Sequence, residues 1–416
     1  MSRFSFLHAA DLHLGSPLSG LAARDPEIAL RLASAGRRAF EDLVGLAIAR
    51  GVAFVIVAGD VYDGDWADNT IGLFFARQVA RLDRAGIPVF LVRGNHDAES
   101  VITRAVALPA SVHTFPSARA DTVRLDALKV ALHGRSFPNR AVPENLALTY
   151  PAALPGWFNI GILHTSCTGH AAHETYAPCS VADLAARGYA YWALGHIHEY
   201  AELARDPWIV FPGNIQGRSV RECGPKGAVI VAVADGQVEG VERLVVDRAR
   251  FHRIAVDLGT AETERAAVAA VEAALKPLAP ESEGRLAAVR VQLTGQTPLH
   301  DRLAADRDGL AAEIQAAAHR IHEDIWLERL RIATTRPQGA SPAPMGLAAA
   351  IDPAALLAGI DRDPEFRARA EAALAEIAGR MPAGIAAEDA DLAADLDGLC
   401  AEAEALLLGR LSGRTC

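Results

Sequence analysis

Five short segments carry the residues best suited to chemistry: Asp11-Leu12-His13, Gly59-Asp60, Gly94-Asn95-His96-Asp97, His164 and Gly195-His196-Ile197-His198. Their side chains are imidazoles, carboxylates and one amide, with no thiolate. That donor set suits Mn²⁺, Fe or Zn²⁺ better than a structural thiolate zinc site or a Ca²⁺ cage. On an extended segment residues i and i+2 face the same side, so Asp11 and His13 are expected to share a pocket, as are His196 and His198. Bases about 7 Å apart on each segment would serve two metals about 3.5–4 Å apart. Asp60 has no second ligand at i+2 and is the candidate for a carboxylate shared by both cations. Water held between two cations loses a proton near neutral pH and attacks phosphorus in line, so the pattern reads as phosphoester hydrolysis.

Every one of these segments ends an apolar run, and ligands of open α/β sheets gather at the carboxyl ends of strands. Strands are expected at Phe4–Ala9, Ala53–Ala58, Val89–Val92, Val130–Leu132, Phe158–Leu163, Tyr191–Leu194, Ile209–Phe211 and Ala228–Val233. Helices are expected at Pro26–Arg50, Thr70–Ala85 and Ser180–Arg187, stopped by Gly51, Gly86 and Gly188. Glycines before Asp60, Asn95 and His196 would allow the tight turns that aim those side chains. The order βαβαβ, then strand-rich, predicts a layered α/β catalytic domain over 1–248. A small α/β domain follows over 249–336, with strands at His252–Leu258, Ala287–Leu293 and Trp326–Ile332 and helices at Glu262–Leu275 and Leu303–His322. The remainder, 337–416, reads as a linker (Arg336 to Pro344, RPQGASPAP) and an acidic, Ala- and Leu-rich helical tail, Phe366–Arg380 and Leu392–Leu411. Its apolar positions Leu396, Leu399, Leu406 and Leu407 are expected to pack on the protein itself rather than on a partner.

At 416 residues and 51% hydrophobic, the chain is globular in composition and too long for one core. No stretch approaches the roughly 20 apolar residues that span a bilayer, and Met1 to Ala10 reads as a strand rather than a signal peptide, so a cytoplasmic protein without membrane contact is expected. The five cysteines, Cys167, Cys179, Cys223, Cys400 and Cys416, have no CxxC spacing and are expected as free thiols. Cys167, His170, His173 and Cys179 do not match paired zinc spacing and read as a loop beside the centre. A net charge of −10 argues against a polyanionic partner, but the stretch from Ser341 to Cys416 carries −7 of it and the other 340 residues only −3. Lys129, Lys226 and Lys276 are the only lysines, so contacts to nucleic acid would rest on arginine. Arg218 and Arg221, with Asn214, are candidates to meet substrate phosphates, set against ordinary salt-bridging. His8 and His133 lie on buried strands and read as hydrogen-bonded core histidines. There is no GxxxxGK[ST] loop, so no ATPase activity is expected of this chain alone.

With D-x-H, GD, GNHD, H and GHxH in order, the chain resembles the calcineurin-type metallophosphoesterase superfamily. Within it, the segments HAADLHLGSP (His8–Pro17), YWALGHIH (Tyr191–His198) and PGNIQGRSVRECGPKG (Pro212–Gly227) resemble the SbcD-like DNA repair exonucleases, with Leu12 pointing to the YhaO branch. The resemblance implies an αββα sandwich with a small domain capping the site. It implies one metal on Asp11, His13, Asp60 and His198 and a second on Asp60, Asn95, His164 and His196, most often Mn²⁺. His96 would then assist the leaving group, with Asp97 orienting it. It further implies DNA as substrate, an SMC-like ATPase as partner, and a second copy of the chain as a further candidate. Two other readings share the same residues: a small-molecule phosphoesterase acting on cyclic nucleotides or phosphomonoesters, and a weakly catalytic subunit that binds DNA or an ATPase.

Overall fold

The computed structural model describes residues 3–16, 26–63, 69–98, 106–167, 176–337, 357, 359–380 and 396–412. The chain divides into two compact units, Met1–His252 with Arg285–Ala288, and Arg253–Gly284 with Val289–Cys416.

The first unit is built on two six-stranded sheets. One has the order β12-β11-β1-β2-β3-β4, with β1 Phe4–Ala9, β2 Phe54–Ala58, β3 Val89–Val92, β4 Val112–Thr114, β11 Gly227–Ala234 and β12 Gln237–Val245. The other has the order β5-β6-β7-β8-β10-β9, with β5 Asp121–Leu125, β6 Val130–Gly134, β7 Phe158–His164, β8 Tyr191–Gly195, β9 Ala201–Arg205 and β10 Trp208–Phe211. β1, β2 and β3 run parallel, as do β6, β7 and β8.

Period-two alternation along these strands builds the layers. Phe6, Phe54, Ile56, Phe90 and Val92 of the first sheet meet Leu132, Ile160, Ile162, Tyr191 and Ala193 of the second in a core between the sheets. Their neighbours Leu7, Ala9, Val55, Val57 and Leu91 point the other way, onto Phe40, Leu43, Phe75 and Val79 of helices α1 (Pro26–Arg50) and α2 (Asn69–Arg84). On the outer face of the second sheet, Leu163, Trp192, Leu194 and Phe211 pack with Leu146, Tyr150 and Leu184. The order of layers is therefore αββα. Both faces of each central strand are covered, which is why the sequence of β2, FVIVA, is apolar throughout. Each large side chain so buried contributes about 1.5–3 kcal/mol.

Four strands have no counterpart in the sequence reading: β4, β5, β9 and β12. They are the four edges of the two sheets, where partial exposure dilutes the apolar signal. The expected helix Ser180–Arg187 shortens to Val181–Ala185, because Ser180 and Asp183 form a capping box at its start.

A three-stranded sheet, β13-β14-β15, runs over Ala249–Asp257, Leu286–Thr294 and Ile325–Ile332, most of it in the second unit, with Ala249–His252 and Leu286–Ala288 counted in the first. A helix at Arg307–Ile321 packs on β15 and on the helix Glu264–Leu275. The expected helix Leu303–His322 is two helices, broken at Asp306, whose side chain caps the second by accepting from the Gly309 amide. The helix Leu396–Ser412 buries Ala405 and Leu408 within this unit, and Glu404 pairs with Arg336 at 3.2 Å, while Leu407 stays exposed. No helix among the described residues is long and apolar enough to cross a membrane.

Candidate metal centre

The seven expected ligands and His96 meet at the carboxyl-terminal rim of the parallel strands of both sheets. Asp11 and His13 follow β1, Asp60 follows β2, Asn95 and His96 follow β3, His164 ends β7, and His196 and His198 follow β8. Three overlapping groups bring their ligand atoms within 4.8 Å of one another: Asp11–His13–His198, His13–Asp60–His96 and Asp11–Asp60–His164. Asn95 Oδ1 joins them 3.0 Å from His164 Nε2, and the His196 ring lies 5.2 Å from that of His164.

The local backbone differs from the extended i, i+2 geometry expected. Asp11 (φ 51), His13 (φ 41), Asp60 (φ 51) and His196 (φ 100) all adopt left-handed conformations. Such strain costs non-glycine residues about 1–3 kcal/mol each and collects at functional sites. Two of the glycines serve by lacking a Cβ rather than by turning: one at Gly94 would stand 2.2 Å from Asp60 Oδ1, and one at Gly195 would meet the Ala58 carbonyl.

Asp11, His13, Asp60, Asn95 and His164 are buried. Burial pushes the Asp11 carboxyl up to about 6 against the pull of His198 and His164, and pushes the His13 imidazole down to about 3. Burial opposes charge on His164 too, yet the Asp60 carboxylate outweighs it and lifts that ring to about 9. For Asp60 the rings of His164, His13 and His96 overcome burial and hold the carboxyl well below its ordinary range. His164 Nδ1 donates to the Ala58 carbonyl at 2.9 Å, which leaves Nε2 facing Asp60 and Asn95. His13 Nε2 and His198 Nε2 stand 3.1 Å apart, nitrogen facing nitrogen, as two imidazoles do when aimed at a common cation. Buried carboxylates, converging imidazole nitrogens and an amide oxygen fit a pair of divalent cations.

Residues 4–200 match the family model for calcineurin-like phosphoesterases, and 251–335 match the middle domain of metallophosphoesterase YhaO. The chain is 32% identical over 302 residues to the uncharacterized metallophosphoesterase YhaO of Bacillus subtilis, over 72% of this chain and 73% of that one. It belongs to the calcineurin-like metallophosphoesterases. Members of this family use a dinuclear metal site. The chain is also 24% identical over 262 residues to the DNA double-strand break repair protein Mre11 of Sulfurisphaera tokodaii, over 59% of this chain and 64% of that one. With Mre11 of Aeropyrum pernix it shares 28% over 279 residues, 61% of this chain and 63% of the relative. The chain thus spans slightly under two thirds of the length of these two Mre11 proteins.

The surroundings of this metallophosphoesterase centre correct three expectations. The carboxylate on His96 is Asp63, 3.1 Å from Nδ1, whereas the Asp97 carboxylate accepts from the backbone amides of Val61, Tyr62 and Gly94. Asp97 therefore ties the loop after β2 to the loop after β3. Burial works against charge on His96, but its hydrogen bond to Asp63 raises its pKa overall. Arg218 pairs with Asp63 at 3.2 Å and Glu222 at 3.1 Å, so its charge is spent inside the site. Asn214 is fully buried and donates to the Gln216 carbonyl and to Glu222, which removes it from substrate contact. Arg221 is exposed, its backbone amide donating to Ser219 Oγ. Sequence reasoning missed Asp63, although its place three residues after Asp60 was a usable signal, and missed Glu222, which no spacing marks.

His8 bridges Tyr191 Oη and the Leu194 carbonyl, and His133 bridges Thr122 and Asn159, so both are hydrogen-bonded core histidines. Cys167 and Cys179 are buried thiols outside any disulfide, gathered at Thr165, while His170 and His173 lie outside the described residues.

Proposed function

We propose that this metallophosphoesterase is a dinuclear, Mn²⁺-dependent phosphodiesterase whose substrate is DNA, acting as a repair nuclease. The observation that carries the two-metal reading is that Asp60 belongs to two ligand groups at once, one with His13 and His96 and one with Asp11 and His164. Bound cations there would neutralise phosphoryl oxygens and acidify water. Asp11, His13 and His198 would hold one ion and Asn95, His164 and His196 the other, with Asp60 shared.

The chain's own residues supply the rest. Asp63 fixes the His96 ring through Nδ1, which leaves Nε2 to hydrogen-bond a leaving oxygen and give it a proton. With its side chain 26% exposed, His96 is more open than His13 at 3% or His164 at 0%. It is thus placed to face a substrate. Asp63 favours the charged form of that ring and Arg218 balances Asp63, so proton donor and metal ligands share one ionic network.

DNA as substrate is supported by the likeness to the Mre11 repair proteins. A separate ATPase of the SMC type as partner is what the resemblance to the SbcD-like nucleases implies. A second reading, a small phosphodiester or phosphomonoester as substrate, is favoured by the charge of −10 and the scarcity of lysine. End-labelled linear DNA with added Mn²⁺ tests the choice. The proposal expects degradation that disappears in His96→Ala and Asp60→Asn. Full activity in both variants, or turnover of a cyclic nucleotide far above that of DNA, would overturn it.

A further inference from the structure

The segment Pro212–Gly227 follows the last metal motif, and several of its residues meet at His198. Lys226 Nζ donates to the His198 carbonyl at 2.9 Å, and the Asn214 backbone amide reaches the same oxygen at 3.4 Å. Gly213, at φ +78, passes so close that a Cβ there would stand 3.0 Å from that oxygen. The ring is held as well: Glu222 Oε1 lies 2.8 Å from His198 Nδ1.

Glu222 is itself fixed by donors. Its Oε2 accepts from Asn214 Nδ2 and from the Arg218 amide, each at 2.8 Å, and Oε1 also accepts from Arg218 Nη2 at 3.1 Å. Arg218 Nη1 continues to Asp63 at 3.2 Å, and Asp63 to His96 Nδ1 at 3.1 Å.

We propose that Glu222 is a positioning residue of the metal centre, holding His198 in the tautomer and orientation that present Nε2 to a divalent cation. The inference rests on the two-metal reading above. A carboxylate only accepts, so Nδ1 carries the proton and the lone pair is on Nε2, the atom 3.1 Å from His13 Nε2. The more distant Arg218 Nη2, 3.4 Å from Nδ1, serves Glu222 instead. A carboxylate behind a ligating imidazole raises its donor strength, and losing one lowers metal affinity about 10–100-fold. The Asp63–Arg218–Glu222 chain thereby links the ring that holds a cation to the ring that protonates the leaving group.

The test uses the full chain, stripped with chelator and titrated with Mn²⁺ alone. Wild type is expected to bind two ions. Glu222→Gln, whose amide puts a donor among donors, is expected to bind one of them about 10–100-fold more weakly, the other within about threefold. Saturating Mn²⁺ should then restore most of its hydrolysis. A second measurement needs no Glu222 variant: long-range ¹⁵N spectra of the metal-free protein, with His198 assigned by its loss in His198→Gln, should show one tautomer protonated at Nδ1. Unchanged affinity of Glu222→Gln for both ions, or a His198 ring protonated at Nε2, overturns the proposal. Wild type that binds no Mn²⁺ overturns the two-metal reading and this inference together, whereas two ions bound equally by wild type and variant overturn only the role of Glu222.

Discussion

Gly94→Ala changes one methyl group and should disable the centre. A Cβ at Gly94 would lie 2.2 Å from Asp60 Oδ1 and 2.9 Å from both Asp60 Cγ and the Asp60 amide nitrogen. Ordinary contact begins near 3.4 Å, so the carboxylate or its loop must give by about 1.2 Å. Neither yields cheaply. Asp60 Oδ1 accepts from the His96 amide at 3.0 Å, Oδ2 lies 3.4 Å from His164 Nε2, and β2 and β3 are paired as far as Ala58 and Val92. Overpacking of this kind costs about 1–3 kcal/mol, and a shift of about 1 Å in a catalytic group costs about 10²-fold in rate. The assay is Mn²⁺ stoichiometry by electron paramagnetic resonance, beside hydrolysis of a chromogenic phosphodiester. Gly36→Ala is the control: the site is in α1, has nothing within 4 Å of an added Cβ, and should gain about 1 kcal/mol in unfolding free energy. Should Gly94→Ala keep both ions and hydrolyse within threefold of wild type, the shared role given to Asp60 would be wrong.

Asp63→Asn should lower hydrolysis by about 10²- to 10⁴-fold. Because Asp63 raises the pKa of His96, the alkaline limb of the rate profile should also move to lower pH; a limb that stays put would make Asp63 merely structural. His8 gives a stability test away from the metals. Burial takes it from 6.5 down to about 3, so the folded ring stays neutral while the unfolded one charges. Its contribution is whole above pH 6.5 and falls by about 1.4 kcal/mol per unit below it, or about 2 kcal/mol at pH 5. The difference in unfolding free energy between wild type and His8→Asn should shrink by that amount from pH 7 to pH 5, and a constant difference would refute it. Chelation should abolish hydrolysis and lower Tm, since it removes ions that would bind the folded centre and not the unfolded chain.

Much of this arrangement is legible in the amino-acid order, for a physical reason. Central strands covered on both faces write unbroken apolar runs, and the ligands stand directly after them, so β1, β2, β3, β7 and β8 and the rim were all readable. Edge strands such as β5, DTVRL, share their face with water and blend into loops. Asp11 and His13 do meet their partners, but through left-handed turns that no residue pattern announces. Roles that depend on pairing across the fold stayed hidden. Arg218 looks like a phosphate contact until Asp63, 155 residues away, is seen to neutralise it, and Asp97 looks like the brace for His96 until Asp63 occupies that ring.

A pair of cations on one shared carboxylate would be visible in anomalous diffraction from crystals grown with Mn²⁺. Two peaks about 3.5–4 Å apart are expected, both within bonding distance of Asp60, one beside His13 and His198 and the other beside His164 and His196. A single peak, or two peaks of which one does not touch Asp60, would contradict it.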